Sequence, residues 1–543
     1  MIRNTIIKYY QQYKHIKLIS ITMLVAVAVY LFSNSLSQSW PYPVGDGVEY
    51  ILVSEALSNH GSPEVYPEDI RTFKEEVKKT MGWDGLGKHE AFDELLNDME
   101  TVKFKHMDQT MGFAVSENKK FYSIHFFTYP LFTLPVKLLL KPFNIHPIKV
   151  FFIANALFIL TALYFVLFFF PFKEIYNCVI AGFFFYSTTQ WYMMWPHAEV
   201  WASSMIFIGV LLYYFKKPYL GIFLCALAAT QFQPLSALVA IMVVFNLFEN
   251  KFKLSSLIKS ALSSFWVIVP SVFYYYNFGV SNLVNHYGFL DDKFVTYDRV
   301  VGFFIDLNQG LIVSFPVLFF VYLIFYFLDI YRRITNKSFK LSLFDVVPFA
   351  MIIMIAIASS MGNWNHCHTI NSRYVAYIGT VMLCHFIVLF LSVKSKKWVQ
   401  TTSVFILITQ YFAINEFGGL APDLWSAERH KKGAEFVLNN FPEYYNPDPI
   451  IFGVRTLGTY NLEHDYYKGV VYFDGCKNFK KAIVNKDHLK EVKMGNLTAE
   501  QLERLIFAKR DQYGWVYIDE YDVKAKLNKE DVKKFFNEMK TNY

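Results

Sequence analysis

The sequence is short of charge and of paired cysteines, and each shortage excludes a class of protein. Only 18% of the 543 residues are charged, whereas an ordinary soluble domain has about 25%. The low charge content therefore excludes an ordinary soluble protein. The five cysteines contain no Cys-x-x-Cys pair, so neither a disulfide framework nor a zinc ribbon is indicated. A disordered chain is excluded as well, because 54% of the residues are apolar or aromatic.

Long apolar runs take the place of the missing charge. Runs of about 20 residues recur, and each is long enough to cross a bilayer as a helix. We predict a mainly α-helical fold, a polytopic transmembrane bundle of about eleven spans. The predicted spans are 18–36, 147–170, 175–192, 198–215, 218–232, 235–249, 256–277, 310–330, 343–361, 374–393 and 399–416.

The first apolar run is predicted to remain as an uncleaved helix. It is followed by Trp40, Pro41 and Tyr42. These residues are typical of an aromatic membrane interface, whereas a signal peptide ends in small residues.

The distribution of basic residues predicts the orientation of the bundle. With the N-terminus in the cytoplasm, thirteen Lys and Arg residues fall in inside loops and three fall in the short outside loops. This asymmetry follows the positive-inside rule. We therefore expect a multi-pass protein of the plasma (inner) membrane with its C-terminal domain outside. The net charge of +7 is explained by topology, so no nucleic-acid partner is expected.

Two external pieces follow from this topology. Within 1–417, the transmembrane module, residues 37–146 form a long external loop with a helix at 89–102 and interfacial helices over 121–140. Residues 418–543 are predicted to form a small external α/β domain. Its strands are expected at 469–473 and 515–518, and a helical pattern covers 498–510.

Polar residues that a membrane protein would otherwise avoid lie at the outer ends of the spans, where such residues are usually functional. Asp46 and Glu49 follow the first span. Asp46 is either an exposed functional acid or the cap of a helix starting at Gly47, and the two roles are compatible. His197 and Glu199 lie at a later outer turn, where Glu199 suits a helix start because the helix dipole favours an anion.

Three further groups are weaker signals. Gln231 and Gln233 occupy an outer turn suited to hydroxyl groups. Arg373 precedes the tenth span and is either a phosphate ligand or an arginine that reaches the lipid headgroups. His366 and His368 are weak candidates for metal ligands, because side chains two residues apart converge on one metal only in special loops. The cofactor is left undetermined, with a divalent metal ion as one option.

These groups resemble, in order, the motifs of a family. The arrangement is similar to the GT-C superfamily of integral-membrane glycosyltransferases, including protein O-mannosyltransferase-like and aminoarabinose-transferase-like enzymes. The resemblance covers about residues 10–416. It rests on Gly45 to Tyr50, Ser123 to Pro130, Glu199, Asn308 to Pro316, and Gly362 to Trp364 followed by Ser372 to Tyr374.

The resemblance implies an enzyme that transfers a sugar from a polyprenyl-phosphate-linked donor to a glycan, lipid or protein acceptor outside the membrane. Asp46 is then the catalytic base. Gly47 departs from the pattern, since mannosyltransferase relatives have a second acid there. Together, these signals predict Asp46, Glu49 and Glu199 as catalytic residues. The predicted substrate-binding residues are Tyr50, His125, His197, Gln231, Gln233, Trp364, Arg373 and Tyr374.

Two other functions stay open. A secondary transporter or a flippase for a lipid-linked substrate would need ionisable residues near the middle of the bilayer, and often has inverted repeats. The middles of the predicted spans are almost free of charge and no repeat is visible. A non-enzymatic membrane anchor for the C-terminal domain is the third interpretation.

Overall fold

The computed structural model describes residues 2–38, 45–81, 90–170, 174–215, 217–336, 343–362, 372–392, 396–420, 429–458, 468–475, 478–491, 494 and 497–542. The fold is mainly helical, with 71% of residues in helices, as predicted. The helices are α1 (Ile2–Ser37), α2 (Gly47–His60), α3 (Pro67–Met81), α4 (Glu90–Thr101), α5 (Thr128–Leu140), α6 (Lys149–Phe169), α7 (Glu174–Phe185), α8 (Glu199–Tyr214), α9 (Pro218–Ala229), α10 (Ser236–Glu249), α11 (Leu254–Ser264), α12 (Val269–Phe278), α13 (Leu283–His286), α14 (Tyr297–Ile305), α15 (Leu311–Ser314), α16 (Pro316–Thr335), α17 (Leu343–Ser359), α18 (Arg373–Ser392), α19 (Lys396–Glu416), α20 (Lys432–Asn440), α21 (Pro449–Leu457), α22 (Ala499–Ile506), α23 (Glu520–Lys526) and α24 (Lys529–Asn542). The strands are β1 (Glu64–Val65), β2 (Gln109–Thr110), β3 (Phe113–Val115), β4 (Phe121–Ser123), β5 (Gly469–Phe473), β6 (Phe479–Asn485) and β7 (Trp515–Asp519).

Among the described residues, three helices are long and apolar enough to cross a membrane. They are Leu18–Ser37 of α1, Lys149–Phe169 and Arg373–Leu391. A fourth span is formed if the pair Leu254–Val267 and Val269–Phe278, bent by 52°, is counted as one. Pro270 in the first turn of α12 is placed where a missing N–H costs the helix nothing. These four segments coincide with predicted spans, and shorter apolar helices occupy five others; the set of eleven stays a prediction.

The chain forms two compact units. The first contains Met1–Phe289, Val317–Met354 and Ala376–Ala421, and the second contains Leu290–Pro316, Ile355–Val375 and Pro422–Tyr543. The sequence placed the domain boundary between 417 and 418, close to the start of the last stretch of the second unit. Two earlier stretches that the sequence assigned to the membrane module also belong to this unit.

A small antiparallel sheet in the first unit corrects one sequence prediction. Its strand order is β1-β4-β3-β2. The prediction of helices over 121–140 is wrong for 121–123, which form β4 and pair Tyr122 with Glu64 and Ser123 with Phe113. The helix starts only at Thr128. Pairing with partners far along the chain overrides the local apolar pattern here. Helix α4 confirms the predicted helix in this loop.

The second unit contains the antiparallel sheet β5-β6-β7. Strands β5 and β7 confirm the predicted runs, and α22 begins with a capping box between Thr498 and Gln501. The central strand β6 is not among the predicted strands, and it contains Lys481. The structure buries that side chain fully, with its ammonium 2.6 Å from Asn446 Oδ1.

A buried ion pair joins three stretches of the second unit. Arg299 Nε donates to Asp448 Oδ2 at 2.8 Å, and both side chains are excluded from solvent. Arg299 Nη1 donates to the carbonyls of Ser359 and Met361 at 2.9 and 2.8 Å. Helix α14, the segment around 360 and the C-terminal sequence are therefore held together.

Candidate active site

Asp46 lies at the start of α2, and its side chain does not cap that helix. The backbone carbonyl of Asp46 accepts from the N–H groups of Glu49 and Tyr50, but its carboxylate makes no capping hydrogen bond. Asp46 Oδ2 instead lies 3.4 Å from Nε2 of His125. The sequence left two roles open for Asp46, and its side chain does not perform the capping role.

Glu49 holds the other side of the same imidazole. His125 Nδ1 lies 3.1 Å from both carboxylate oxygens of Glu49, and the His125 backbone N–H donates to Glu49 Oε2 at 3.3 Å. The Ser123 hydroxyl also donates to Glu49 Oε2. His125 thus bridges two carboxylates through its two ring nitrogens. We call Asp46, Glu49 and His125 the acid–histidine cluster.

A tight hairpin closes over Glu49. Strands β2 and β3 are joined by Met111 and Gly112, whose φ angles of 48° and 84° are typical of a two-residue hairpin turn. A Cβ atom on Gly112 would lie 2.4 Å from Glu49 Oε1. Position 112 therefore requires glycine both for its backbone angle and for the space that the carboxylate occupies.

The outer turn before α8 packs against the start of α2. A Cβ atom on Gly47 would lie 2.8 Å from Pro196 Cγ, and one on Gly45 would lie 3.7 Å from the His197 ring. Glu199 is the first residue of α8, which agrees with the prediction of an acid at a helix start. Its Oε2 atom lies 3.7 Å from His197 Nδ1. The missing Cβ of Gly47 lets these turns approach each other, whereas the distance at Gly45 is an ordinary van der Waals contact.

Tyr50 connects the predicted groups. Its ring contacts His125, Tyr129 and His197 at centroid distances of 6.0, 5.4 and 5.7 Å. Its hydroxyl donates to Gln231 Oε1 at 3.1 Å, and Gln231 donates to a backbone carbonyl at position 126. The structure therefore brings together Asp46, Glu49, Tyr50, His125, His197, Glu199 and Gln231.

Tyr129 and Asn155 support this group and are absent from the predicted site. Tyr129 donates to Asn155 Oδ1 at 3.0 Å, and Asn155 Nδ2 donates to the Trp195 carbonyl at 2.8 Å, which anchors the turn before Glu199. Burial, and secondarily the Glu199 carboxylate, raise the pKa of Tyr129 well above its usual value. A lone Asn in the apolar α6 was the available sequence signal, since buried polar side chains usually have specific partners.

Ser123 was also missed. It is the last residue of β4 and lies two residues before His125. Its hydroxyl accepts from the His125 N–H at 3.0 Å while donating to Glu49. The available sequence signal was its place in the stretch Ser123 to Pro130, which carries part of the family resemblance.

Of the four other predicted residues, one lies elsewhere in the first unit, two belong to the second unit and one falls outside the described residues. Gln233 is exposed and accepts from Asn282 at 2.8 Å. Arg373 and Tyr374 belong to the second unit, where the guanidinium lies 5.6 Å from the Tyr374 ring centroid. Trp364 falls outside the described residues, as do the two weak metal candidates, His366 and His368.

Accessibility separates the roles within the acid–histidine cluster. The side chains of Asp46 and His125 are 25% and 20% exposed, whereas that of Glu49 is 6% exposed. Asp46 and His125 can therefore meet a substrate, while Glu49 orients the imidazole. One ligand atom from each residue lies within 4.8 Å of the others, a set that could also hold a divalent metal ion.

No protein-family model, curated protein or solved structure matches this chain.

Proposed function

We propose that this protein is a membrane glycosyltransferase that transfers a sugar from a polyprenyl-phosphate-linked donor to an acceptor hydroxyl. The observation that carries the proposal is the acid–histidine cluster, in which a partly exposed Asp46 faces a histidine fixed by a buried carboxylate. A carboxylate in this setting suits the removal of a proton from a hydroxyl group. The order of motifs along the chain, similar to the GT-C superfamily, supports the same reaction class.

In the proposed reaction, Asp46, the lipid phosphate and His125 each have one role. Asp46 takes the proton of the acceptor hydroxyl as that oxygen attacks the anomeric carbon of the donor sugar. The bond from that carbon to the phosphate oxygen breaks, and the lipid phosphate leaves with the bonding electrons. His125, held by Glu49, positions the Asp46 carboxylate for the proton transfer.

The proposed setting is the outer face of the plasma (inner) membrane. Three helices able to cross a bilayer support membrane association. The excess of basic residues in alternate loops supports a cytoplasmic N-terminus and an external C-terminal domain. The test uses a variant in which the five native cysteines are replaced by serine. In intact cells, an impermeant thiol reagent should label a cysteine placed at Asp93 and leave one placed at Ser338 unlabelled; the reverse pattern would contradict this orientation.

The deciding assay uses purified full-length protein with a panel of polyprenyl-phosphate sugars and detects sugar transfer by mass spectrometry. Asp46→Asn keeps the shape of the side chain and should reduce turnover by about 10²-fold or more, within the range of a lost general base. The matched control is Asp93→Asn, in the same external segment, where the acid pairs with Lys74 on the surface. Equal turnover in both variants would rule out Asp46 as the base.

One observation keeps transport of a lipid-linked substrate as a second candidate. His385, inside the apolar helix α18, lies buried with its Nδ1 atom 3.1 Å from the Tyr322 hydroxyl. Ionisable residues within a membrane span are often functional. If the protein is a flippase, His385→Gln should abolish movement of a fluorescent polyprenyl phosphate across proteoliposomes, and Asp46→Asn should leave it unchanged.

A further inference from the structure

A cavity lined by basic residues lies in the first unit, between helices α3 and α5 and the start of α6. Its volume is about 150 Å³. The ionisable side chains that line it are Lys79, Lys137, Lys141 and one acid, Glu76. Thr80 and Asn144 add neutral hydrogen-bonding groups. The lining therefore favours an anion with further hydrogen-bonding oxygens.

Two of the three lysines are available to a ligand. Lys137 is buried and forms an ion pair with the buried Glu55 behind the cavity wall. Lys79 and Lys141 are exposed, and neither forms an ion pair within the described part of the chain. Lys79 and Lys141 thus give the cavity two ammonium groups against the one carboxylate of Glu76, and this net positive charge is complementary to a phosphate group.

The cavity lies where two candidate membrane spans end. Lys149 Nζ donates to the Leu36 carbonyl at 2.6 Å, which joins the start of α6 to the end of α1. Pro147 and Val150, on either side of Lys149, line the cavity. Headgroups lie at the ends of membrane spans, so the cavity is at the depth of lipid phosphates.

Exposed apolar side chains continue from the cavity along α5 and the turn after it. Leu138, Leu139 and Phe143 are 51%, 69% and 68% exposed. Thr133 and Lys137 face inward on the same helix, so α5 has a buried side and an apolar exposed side. A helix of this kind lies in the membrane interface with its apolar side toward the acyl chains.

We propose that this cavity binds the phosphate group of an anionic phospholipid from the surrounding membrane. Lys79 and Lys141 hold the phosphate, and Leu139 and Phe143 contact the acyl chains. Free phosphate would use only the lysines, whereas a phospholipid uses both the charged cavity and its apolar rim. The site does not involve the acid–histidine cluster, so its test requires no turnover.

The test is native mass spectrometry of the full-length protein in detergent, titrated with phosphatidylglycerol or phosphatidylcholine. Phosphatidylglycerol should bind more tightly. Lys79→Ala and Lys141→Ala should each weaken it about fivefold, the equivalent of about 1 kcal/mol for each basic residue at an anionic surface. Phe143→Ser should weaken both lipids. Lys103→Ala, at an exposed lysine of the same external segment, should change neither.

Three results would overturn the proposal. Equal phosphatidylglycerol affinity in wild type and both cavity variants would place the lipid elsewhere. Displacement of the lipid by millimolar inorganic phosphate would indicate a site for free anions. Tighter binding of a polyprenyl phosphate than of phosphatidylglycerol, lost in the same variants, would assign the cavity to the lipid of the donor. Because none of these results depends on sugar transfer, failure here leaves the proposed enzyme activity to its own assay.

Discussion

His125 Nδ1 lies 3.1 Å from both carboxylate oxygens of Glu49, although the two residues are 76 positions apart in the chain. This relationship fixes the plane of the imidazole and turns Nε2 toward Asp46, 3.4 Å away. Under the proposed function, Glu49 is then a positioning residue and Asp46 is the group that meets the substrate.

Glu49→Gln is expected to lower kcat while changing KM little, because the amide cannot orient and stabilise the histidine as a carboxylate does. Replacing the equivalent carboxylate by an amide in a serine-protease triad reduces kcat by about 10⁴-fold, so a loss of at least about tenfold is expected here. Steady-state kinetics with the active donor measure both parameters. The surface variant Glu68→Gln is the control. A rise in KM at constant kcat would instead assign Glu49 to substrate binding.

Gly112→Ala should impair both stability and activity. The left-handed φ of 84° alone costs an alanine about 1–2 kcal/mol. The added Cβ would also displace the Glu49 carboxylate from its bonds to His125 and Ser123. Thermal unfolding and turnover of the purified variant measure the two effects.

Gly61→Ala is the matched control for this substitution. Gly61 has a φ of 70° at the end of α2, and no atom lies within 4 Å of an added Cβ. It should lose only the stability that the left-handed φ costs an alanine, and it should keep its activity. Equal activity losses in the two glycine variants would contradict contact with Glu49 as the cause.

The buried Glu55 predicts a pH dependence of stability. Burial raises the pKa of Glu55 from 4.5 to about 7, although the Lys137 ammonium opposes the rise. The folded state therefore holds the proton more tightly than the unfolded state does. The stability contribution of this group is full below about pH 4.5 and is lost as pH rises toward 7.

Hydrogen exchange of α2 should show this loss. Between pH 4.5 and 7.5, after correction for the intrinsic pH dependence of exchange, protection of α2 should fall in the wild type and stay flatter in Glu55→Gln. Glu68→Gln, at an exposed acid, should follow the wild type. A parallel decline in all three proteins would show that another group titrates.

Arg299→Ala should destabilise the second unit by about 3–5 kcal/mol, because it leaves the buried Asp448 carboxylate without its cation. Arg510→Ala is the control. Arg510 pairs with Asp298 at 3.3 Å but is 63% exposed, so its loss should cost less than about 1 kcal/mol. Denaturant unfolding, monitored by the hydrogen exchange of β6 and β7, distinguishes the effects of the two substitutions. Similar effects would mean that the buried pair contributes no more than a surface pair.

The sequence by itself determined the features that are written locally along the chain. Apolar runs of sufficient length predicted the helices at Leu18–Ser37, Lys149–Phe169 and Arg373–Leu391. Alternating β-branched and aromatic residues predicted β5 and β7. The polar residues at helix ends pointed to Asp46 and Glu49 as candidate site residues, because polar groups beside apolar spans are costly without a role. His125 entered the prediction only through the family resemblance.

Only the tertiary structure decided how those residues meet. Strand β4 forms because β1 and β3 pair with it, and β6 accommodates Lys481 because Asn446 Oδ1 accepts a hydrogen bond from its ammonium group. The division of labour between an accessible Asp46 and a buried Glu49 depends on the hairpin that closes at Gly112. Burial and hydrogen bonding between residues distant in sequence arise from packing in three dimensions, and the local pattern of a chain contains no record of them.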